Sequence, residues 1–402
     1  MVLKNKNILI GVTVGIAAYK AAELVSTLRK MNANVRVIMT KSAAEFVTPV
    51  TFQTLSGFPV RHELFTDWSK NFIPHIENAL WADAVAIVPA TANIIGKIAH
   101  GIADDLLSTT IMACEAPVLF APAMNERMFK NPIVQRNIRT LKDLGYYFIE
   151  PAEGRLACGE VGKGRLPEID TILWHLEYVL SKKDFAGIRV LVTAGGTREP
   201  IDPVRFISNR SSGKMGYELA EALSKRGAEV VLISAPTELE APYGVELVKV
   251  ETAQEMYKAC MERFDGVNMV IMCAAVADFE PADYSREKIK KDSGFENIKL
   301  KRTPDILSEM GRLKSQQFII GFCAESQNLE ENAERKLKEK NLDLIVANDI
   351  TKNIFGSDTT SIIILDASNN KLKYDGVSKK EAAHIILDAA VKGYRRRMGL
   401  EA

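Results

Sequence analysis

Apolar residues fall along the chain in short unbroken runs that alternate with stretches of helical spacing. Ile8, Leu9, Ile10 and Val12 form the first run. Ala21, Leu24, Val25, Leu28 and Met31 then recur at helical spacing, and Val35 to Met39 forms the next run. Runs without polar alternation predict parallel strands covered on both faces. The same order returns downstream. Residues 188–193 predict a strand and 194–197 a turn. Residues 211–214 open a helix with Met215, Leu219, Ala222 and Leu223 on one face, Gly227 is a good stop, and 230–234 predict a strand. Ala22-Glu-Leu-Val and Tyr217-Glu-Leu-Ala even share their order of residues. Further strands are predicted at 84–88, 118–121, 269–273, 318–321, 344–347 and 361–365, and a final helix from Lys379 to about Tyr394. This is an α/β pattern with two open parallel sheets. The polar stretch 181–187 predicts the boundary, giving domains 1–185 and 186–402.

Composition adds exclusions. A chain of 402 residues allows roughly two to four domains. Lys+Arg is 52 and Asp+Glu 51, a net charge of +1, which argues against the broad basic surface of a nucleic-acid binder. Apolar stretches are short and interrupted, so no membrane span is expected. The N-terminus lacks signal-peptide architecture, and a cytoplasmic protein is expected. Five cysteines without a CxxC pair indicate neither a disulfide framework nor a zinc site. The partners to expect are small molecules.

In parallel α/β sheets, ligands gather at the carboxyl ends of strands. Gly11 to Gly15 forms a glycine turn feeding a helix, a simple phosphate cradle. It lacks the G-x-G-x-x-G fingerprint, and neither Met39-Thr-Lys-Ser42 nor Ile233-Ser-Ala-Pro-Thr237 supplies an acid for a ribose. NAD is therefore a poor candidate, and a mononucleotide such as FMN fits the first half better. Pro89-Ala-Thr-Ala-Asn93 and Ala121-Pro-Ala-Met-Asn125 each set small residues and an Asn just past a buried strand. They suit either ligand contact or helix capping by Thr91 or Asn93. His75 has the titration range for proton chemistry, although a lone His at a helix start is also a common cap or surface residue. Cys158 lies among Gly154, Gly159, Gly162 and Gly164, a setting for a thiol carried on a flap.

In the second half, residues 194–216 bring glycines, hydroxyls, Arg210 and Lys214 before one helix, an anion-binding pattern that is not a Walker A loop. Cys273-Ala-Ala-Val-Ala-Asp278 follows at a strand end. Lys288-Ile-Lys-Lys291, with Arg286, Lys299, Lys301 and Arg302, is either a solvated loop or a triphosphate-binding stretch. Asp278 is too isolated to establish a metal site, although Mg²⁺ normally accompanies a nucleoside triphosphate. Arg395-Arg-Arg397 reads as the solvated end of the last helix.

Taken together, residues 16–20, 89–93, 122–125, 157–160, 193–200, 211–216, 274–278 and 288–291 resemble the motifs of bacterial bifunctional phosphopantothenoylcysteine decarboxylase/phosphopantothenate–cysteine ligases of coenzyme A biosynthesis. The similarity spans nearly the whole chain. It implies an N-terminal flavodoxin-like flavoprotein domain and a C-terminal Rossmann-like nucleotide-binding domain. It implies ligation of cysteine to 4'-phosphopantothenate through an acyl-cytidylate, with CTP converted to CMP and pyrophosphate. The product, 4'-phospho-N-pantothenoylcysteine, is then decarboxylated to 4'-phosphopantetheine with transient FMN reduction. By the same resemblance Gly15, Thr40, Thr91 and Asn93 line the FMN site and His75 is catalytic. Asn125 holds the substrate carboxylate, and Cys158 returns a proton. Ala274, Asp278, Lys288, Pro304, Asp305, Ile306, Leu307, Phe322, Lys336 and Lys340 bind CTP. Asn209 serves the acyl intermediate, Lys288 is also catalytic, and Mg²⁺ is held mainly by the phosphates. A homo-oligomer is implied. Val14 departs from the Gly or Ser usual in the first turn, and its branched side chain narrows that turn. Two other readings remain: an NAD-type oxidoreductase with a ligase-like domain, and a non-catalytic flavin-binding regulator of a phosphatase. The presence of both His75 and Cys158 favours catalysis. No residue pattern by itself separates CTP from ATP.

Overall fold

A computed structural model describes residues 2–64, 73–155, 159, 161–290, 297–325, 327–349, 357–368 and 370–400. The chain forms two compact units, Met1–Ser181 and Lys182–Ala402.

The first unit runs β1 (Asn7–Val12), α1 (Ala18–Lys30), β2 (Asn34–Met39), α2 (Pro49–Ser56), α3 (Pro74–Trp81), β3 (Ala84–Ala90), α4 (Ala92–Ala99), α5 (Leu106–Met112), β4 (Val118–Pro122), α6 (Glu126–Phe129), α7 (Pro132–Asp143), β5 (Tyr147–Phe148), β6 (Ala152–Arg155), β7 (Val161–Arg165) and α8 (Ile169–Leu180). Strands β1 to β5 form one parallel sheet in the order β2-β1-β3-β4-β5, which is the flavodoxin-like order. Both faces are apolar because successive residues of a strand point opposite ways. Ile8, Ile10, Val12, Ala84, Ala86 and Val88 pack with α1, α2 and α8. Leu9, Val85, Ile87 and Ala90 pack with α4, α5 and α7 on the other side. That explains the unbroken apolar runs. Strands β6 and β7 form a separate antiparallel hairpin.

The second unit runs β8 (Arg189–Ala194), β9 (Arg198–Pro200), β10 (Phe206–Ser208), α9 (Lys214–Lys225), β11 (Glu229–Ser234), β12 (Val245–Lys249), α10 (Ala253–Phe264), β13 (Met269–Met272), β14 (Phe279–Pro281), β15 (Leu300–Arg302), α11 (Ile306–Leu313), β16 (Phe318–Glu325), α12 (Leu329–Glu339), β17 (Leu344–Asp349), β18 (Thr359–Asp366), β19 (Lys371–Ser378) and α13 (Lys379–Arg397). Its main sheet has the order β12-β11-β8-β13-β16-β17-β18-β19. The first six strands are parallel, in the Rossmann-like order. The last two are antiparallel. Helices α9 and α13 cover one face, and α10, α11 and α12 the other.

Both units open as strand–turn–helix–strand, but the second inserts the β9–β10 hairpin before its helix. One expectation is corrected. The 395–397 charge run is not merely a solvated helix end, because Arg397 pairs with Asp343 at 2.7 Å and donates to the carbonyls of Ser315 and Gln317. The last helix is thereby tied to the amino end of β16.

Candidate functional site

In the first unit, four strand ends of one sheet carry the expected residues. After β1, Gly15 has a φ of +153°, and open space lies where a Cβ would stand. A side chain is strained there, and the backbone is left approachable. Val14 beside it is half-buried. After β2, the Thr40 backbone N–H donates to Val12 O at 3.0 Å. Its hydroxyl is buried with no hydrogen-bond partner among the described residues. A buried hydroxyl is rarely left unsatisfied, so Thr40 Oγ1 fits a ligand donor or acceptor at this edge. After β3, Thr91 caps α4, accepting from Ile94 N at 3.4 Å, and lies 3.4 Å from Thr13 Oγ1. Thr13 in turn donates to Pro89 O at 2.7 Å, which locks the first and third strand ends together. Asn93 is exposed on the first turn of α4. The capping role of Thr91 leaves its ligand role open, since one hydroxyl can do both.

After β4, Asn125 caps α6 by accepting from Arg127 N at 2.8 Å. The β6–β7 hairpin sits directly on this turn. Met124 N donates to Gly164 O at 3.0 Å. A Cβ on Gly164 would strike the Met124 carbonyl, and one on Gly162 would strike the Glu126 carboxylate. At Gly164, where the contact is backbone, only glycine permits so close an approach. Cys158, expected on this hairpin, lies outside the described residues. His75 is carried on a helix and not on a strand end. It is half-buried in the first turn of α3, and α3 docks against β2 through Arg36 and Glu77 at 2.9 Å.

In the second unit the order of the sheet reverses between β8 and β13, the crevice where ligands of open α/β sheets bind. A cavity of about 700 Å³ opens there. Asn209, Ala274, Asp278, Pro304, Asp305, Ile306, Leu307, Phe322, Lys336 and Lys340 all line it. Its shape follows from glycines. A Cβ on Gly196 would come within 2.8 Å of Asn209 O, and one on Gly216 within 2.6 Å of Ala194 Cβ. The 209–213 loop therefore lies flat on the end of β8. Asn209 Nδ2 donates to Val276 O at 3.0 Å. Threonines fix the 274–277 segment: Ala274 N donates to Thr193 Oγ1, and Ala277 N donates to Thr197 Oγ1. Ala274 therefore offers a ligand its carbonyl and its small side chain.

Helix α9 begins at Gly213, in a left-handed conformation and without a side-chain cap. Gly213, Lys214, Met215 and Gly216 line the cavity, so the orphan N–H groups of that turn face an enclosed space. Lys336 on α12 and Lys340, which caps its carboxyl end, are engaged by acids. Lys336 pairs with Glu325 at 2.7 Å, and Lys340 pairs with Asp305 at 2.8 Å. Burial works to raise the Asp305 carboxyl, but Lys340 and the Ser308 bonds outweigh it and hold it below the usual range. Burial pushes the Cys273 thiol up to about 12, so it lines the cavity as a neutral group. Lys288 is exposed and does not line the cavity. Its neighbour Ile289 is held at both ends, by Asp202 through its N–H and by Arg205 through its carbonyl. Lys291 lies outside the described residues. Among the described residues, no group of three His, Cys, Asp or Glu side chains is arranged to hold a metal ion.

Sequence reasoning missed Asn348, Thr359, Thr360 and Lys379, which also line the cavity. Asn348 lies near the end of the last parallel strand, Thr359 and Thr360 open the antiparallel β18, and Lys379 follows β19. One signal was available. Lys379 is the first residue of α13, after the Ser378 cap, and a cation is disfavoured at a helix N-terminus unless something compensates.

No helix among the described residues is long and apolar enough to cross a membrane. The flavoprotein family matches residues 2–180. The DNA/pantothenate metabolism flavoprotein C-terminal domain family matches residues 185–394. The Bacillus subtilis (strain 168) coenzyme A biosynthesis bifunctional protein CoaBC is 49% identical over 395 residues, covering 96% of this chain and 96% of its own. The Haemophilus influenzae protein of the same name is 44% identical, covering 99% of this chain and 100% of its own. The Escherichia coli (strain K12) one is 41% identical and covers 98% of each. With a flavodoxin-like sheet in its first unit and a Rossmann-like cavity in its second, the chain belongs to the CoaBC family of bifunctional coenzyme A biosynthesis enzymes, decarboxylase and ligase on one polypeptide.

Proposed function

We propose that residues 186–402 join cysteine to 4'-phosphopantothenate using CTP, and that residues 1–185 decarboxylate the product with FMN. The observation that carries the ligase reading is the single cavity that gathers Asn209, Ala274, Asp278, Phe322, Lys336 and Lys340 at one sheet edge. A carboxylate is a poor electrophile and must be activated. Its oxygen attacks the α-phosphorus of CTP, and the bond to the β-phosphate oxygen breaks to release pyrophosphate. The cysteine amine then attacks the acyl carbon, loses a proton, and CMP leaves. Charge builds on phosphate oxygens throughout, which is where fixed cations act. Lys336 and Lys340 serve by exchanging Glu325 and Asp305 for phosphate. Lys288, on an exposed segment outside the cavity lining, is the further cation this reading gives to the same charge. Mg²⁺ would be held mainly by the phosphates, with Asp278 a cavity carboxylate that could join them.

In the decarboxylase unit the orphan Thr40 hydroxyl and the open backbone at Gly15 suit FMN, with Thr91 and Asn93 completing its cradle. When bound, FMN supplies a reversible two-electron acceptor for the CH₂–SH group, which lets CO₂ leave without an unstabilised carbanion. Asn125 presents an amide to the departing carboxylate; its Oδ1 is already occupied by Arg127 N. Cys158 and His75 move protons to and from the substrate. The working enzyme is a cytoplasmic homo-oligomer. Leu80 at 81%, Val50 at 64% and Ile16 at 62% exposure give the first unit apolar surface to cover.

The test is direct. Purified protein is expected to be yellow, or to turn yellow on adding FMN, and to release CO₂ from 4'-phospho-N-pantothenoylcysteine. With phosphopantothenate and cysteine it releases pyrophosphate faster from CTP than from ATP. A colourless protein that takes up no FMN sinks the first half. Absence of nucleotide-dependent pyrophosphate release sinks the second.

A further inference from the structure

Helix α3 carries His75 in its first turn, and little of that helix is buried. Of its eight residues only Asn78 and Ala79 are buried, while Ile76 and Leu80 are exposed. So short a helix is not stable by itself, and its position is set by what it docks on. Its polar anchor is one guanidinium. Arg36 interrupts the apolar run of β2, between the buried Val35 and Val37. Successive strand residues point opposite ways, so Arg36 shares with Ile38 the face that packs with α4, α5 and α7. Trp81 of α3 packs on that same face.

A charge on that face needs partners, and α3 supplies three of them. Arg36 Nη1 donates to Glu77 Oε1 at 2.9 Å and to Asn78 Oδ1 at 3.4 Å. The guanidinium carbon stands 4.4 Å from the centre of the Trp81 ring, with the Phe58 ring at 5.8 Å beside it, both within cation–π range. The arginine has donors and no acceptor, so Asn78 turns its carbonyl oxygen towards it. That leaves Nδ2 for the Pro74 carbonyl, to which it donates at 2.9 Å. The Pro74 carbonyl belongs to the planar peptide unit that ends in the His75 nitrogen. Holding that oxygen therefore restrains the peptide from which His75 projects.

We propose that Arg36 is a positioning residue of the decarboxylase, a clamp that fixes the first turn of α3 and so the place of the His75 imidazole. It acts through Glu77, Asn78 and Trp81 and not on the substrate. The inference rests on the reading that His75 moves a proton in that reaction. A group that transfers a proton must stand within hydrogen-bond reach of its target, so a small displacement of α3 is costly to the rate.

The experiment uses the full chain with Arg36→Gln and Arg36→Lys. For Arg36→Gln, kcat for CO₂ release from 4'-phospho-N-pantothenoylcysteine is expected to fall about tenfold, while KM and FMN affinity stay within about twofold of wild type. The solvent deuterium isotope effect on kcat should rise, because a misplaced group slows the proton transfer in particular. Arg36→Lys keeps a charge over Trp81 but loses the planar fork, so its kcat should fall between the two. An unchanged kcat overturns the clamp. So does a lower kcat at the wild-type isotope effect, which would mean only fewer folded or flavin-loaded molecules. His75→Gln separates this inference from the reading beneath it. Wild-type turnover by His75→Gln would defeat the His75 role. An inactive His75→Gln beside a normal Arg36→Gln would keep that role and defeat the clamp alone.

Discussion

Asn209 and Val276 are 67 residues apart, yet the Asn209 side-chain amide donates to the Val276 carbonyl at 3.0 Å. This bond joins the loop before α9 to the loop after β13, the two sides of the crevice where the sheet order reverses. The Ala275 N–H to Gly195 O bond at 2.8 Å runs alongside it. Asn209 is exposed, so its loss should cost only about 1 kcal/mol of stability. Its effect on ligation should be far larger, because it shapes the crevice and, in the proposed reaction, serves the acyl intermediate. Asn209→Ala is expected to lower pyrophosphate release by at least about a hundredfold while CO₂ release from added 4'-phospho-N-pantothenoylcysteine stays normal. Equal loss in both assays would show general damage instead.

The hairpin of the first unit allows a complementary separation. Gly164 lies against the Met124 carbonyl so closely that a methyl group cannot fit without moving one of them. Gly164→Ala should cost about 1 to 3 kcal/mol in the first unit and lift the hairpin from the turn that carries Asn125. Decarboxylation is expected to fall steeply and CTP-dependent ligation to persist. A variant with unchanged decarboxylation would show that the hairpin contact does not position the site.

Much of the fold was legible because parallel strands leave a strong mark. Ile8 to Ile10 and Val190 to Val192 are unbroken runs since each strand faces apolar residues on both sides, and periodicity reports that directly. Strand β19 left no such mark. It pairs only with β18, and Lys371, Leu372 and Lys373 are exposed. The strand-end residues Gly15, Thr91 and Asn125 could be found because the carboxyl end of a parallel strand is a rule of position, whereas Thr40 came only with the family resemblance. Lys379 offered only the weak signal of a cation at a helix start, because it follows two antiparallel strands whose pairing the sequence does not announce. The orphan state of Thr40 Oγ1 likewise belongs to packing, since composition cannot say which hydroxyl lacks a partner.

Asp184 and Arg226 give a pH prediction with a fixed sign. The Arg226 guanidinium meets the Asp184 carboxylate at 2.6 and 2.9 Å. Their side chains are 5% and 17% exposed, respectively for Arg226 and Asp184. Burial works to raise the Asp184 carboxyl, and Arg226 more than reverses this, leaving it below the usual range. The folded value is thus below the unfolded value of about 3.9. The stabilisation is complete above that unfolded value and is lost as pH falls through the folded one. Arg226 keeps a second partner in Asp388 at 2.8 Å. Asp184→Asn should therefore destabilise the second unit by about 2 to 3 kcal/mol at neutral pH. In denaturant melts the gap between the two proteins should close below about pH 4; a gap that widens with acid would contradict the assignment.

Thr40→Val separates a ligand role from a structural one by the direction of two effects. The Thr40 hydroxyl is buried and has no partner among the described residues, so it contributes nothing to the fold through hydrogen bonding. Replacing it with an isosteric methyl removes an unsatisfied polar atom, and stability without ligand should hold or rise by up to about 1 kcal/mol. If the hydroxyl serves FMN, affinity should move the other way, falling about tenfold as one ligand hydrogen bond is lost. Thermal melts of flavin-free protein and quenching of FMN fluorescence on titration measure the two quantities separately. A melting temperature that drops while FMN affinity is unchanged would assign Thr40 to the fold and leave the flavin cradle to Gly15, Thr91 and Asn93.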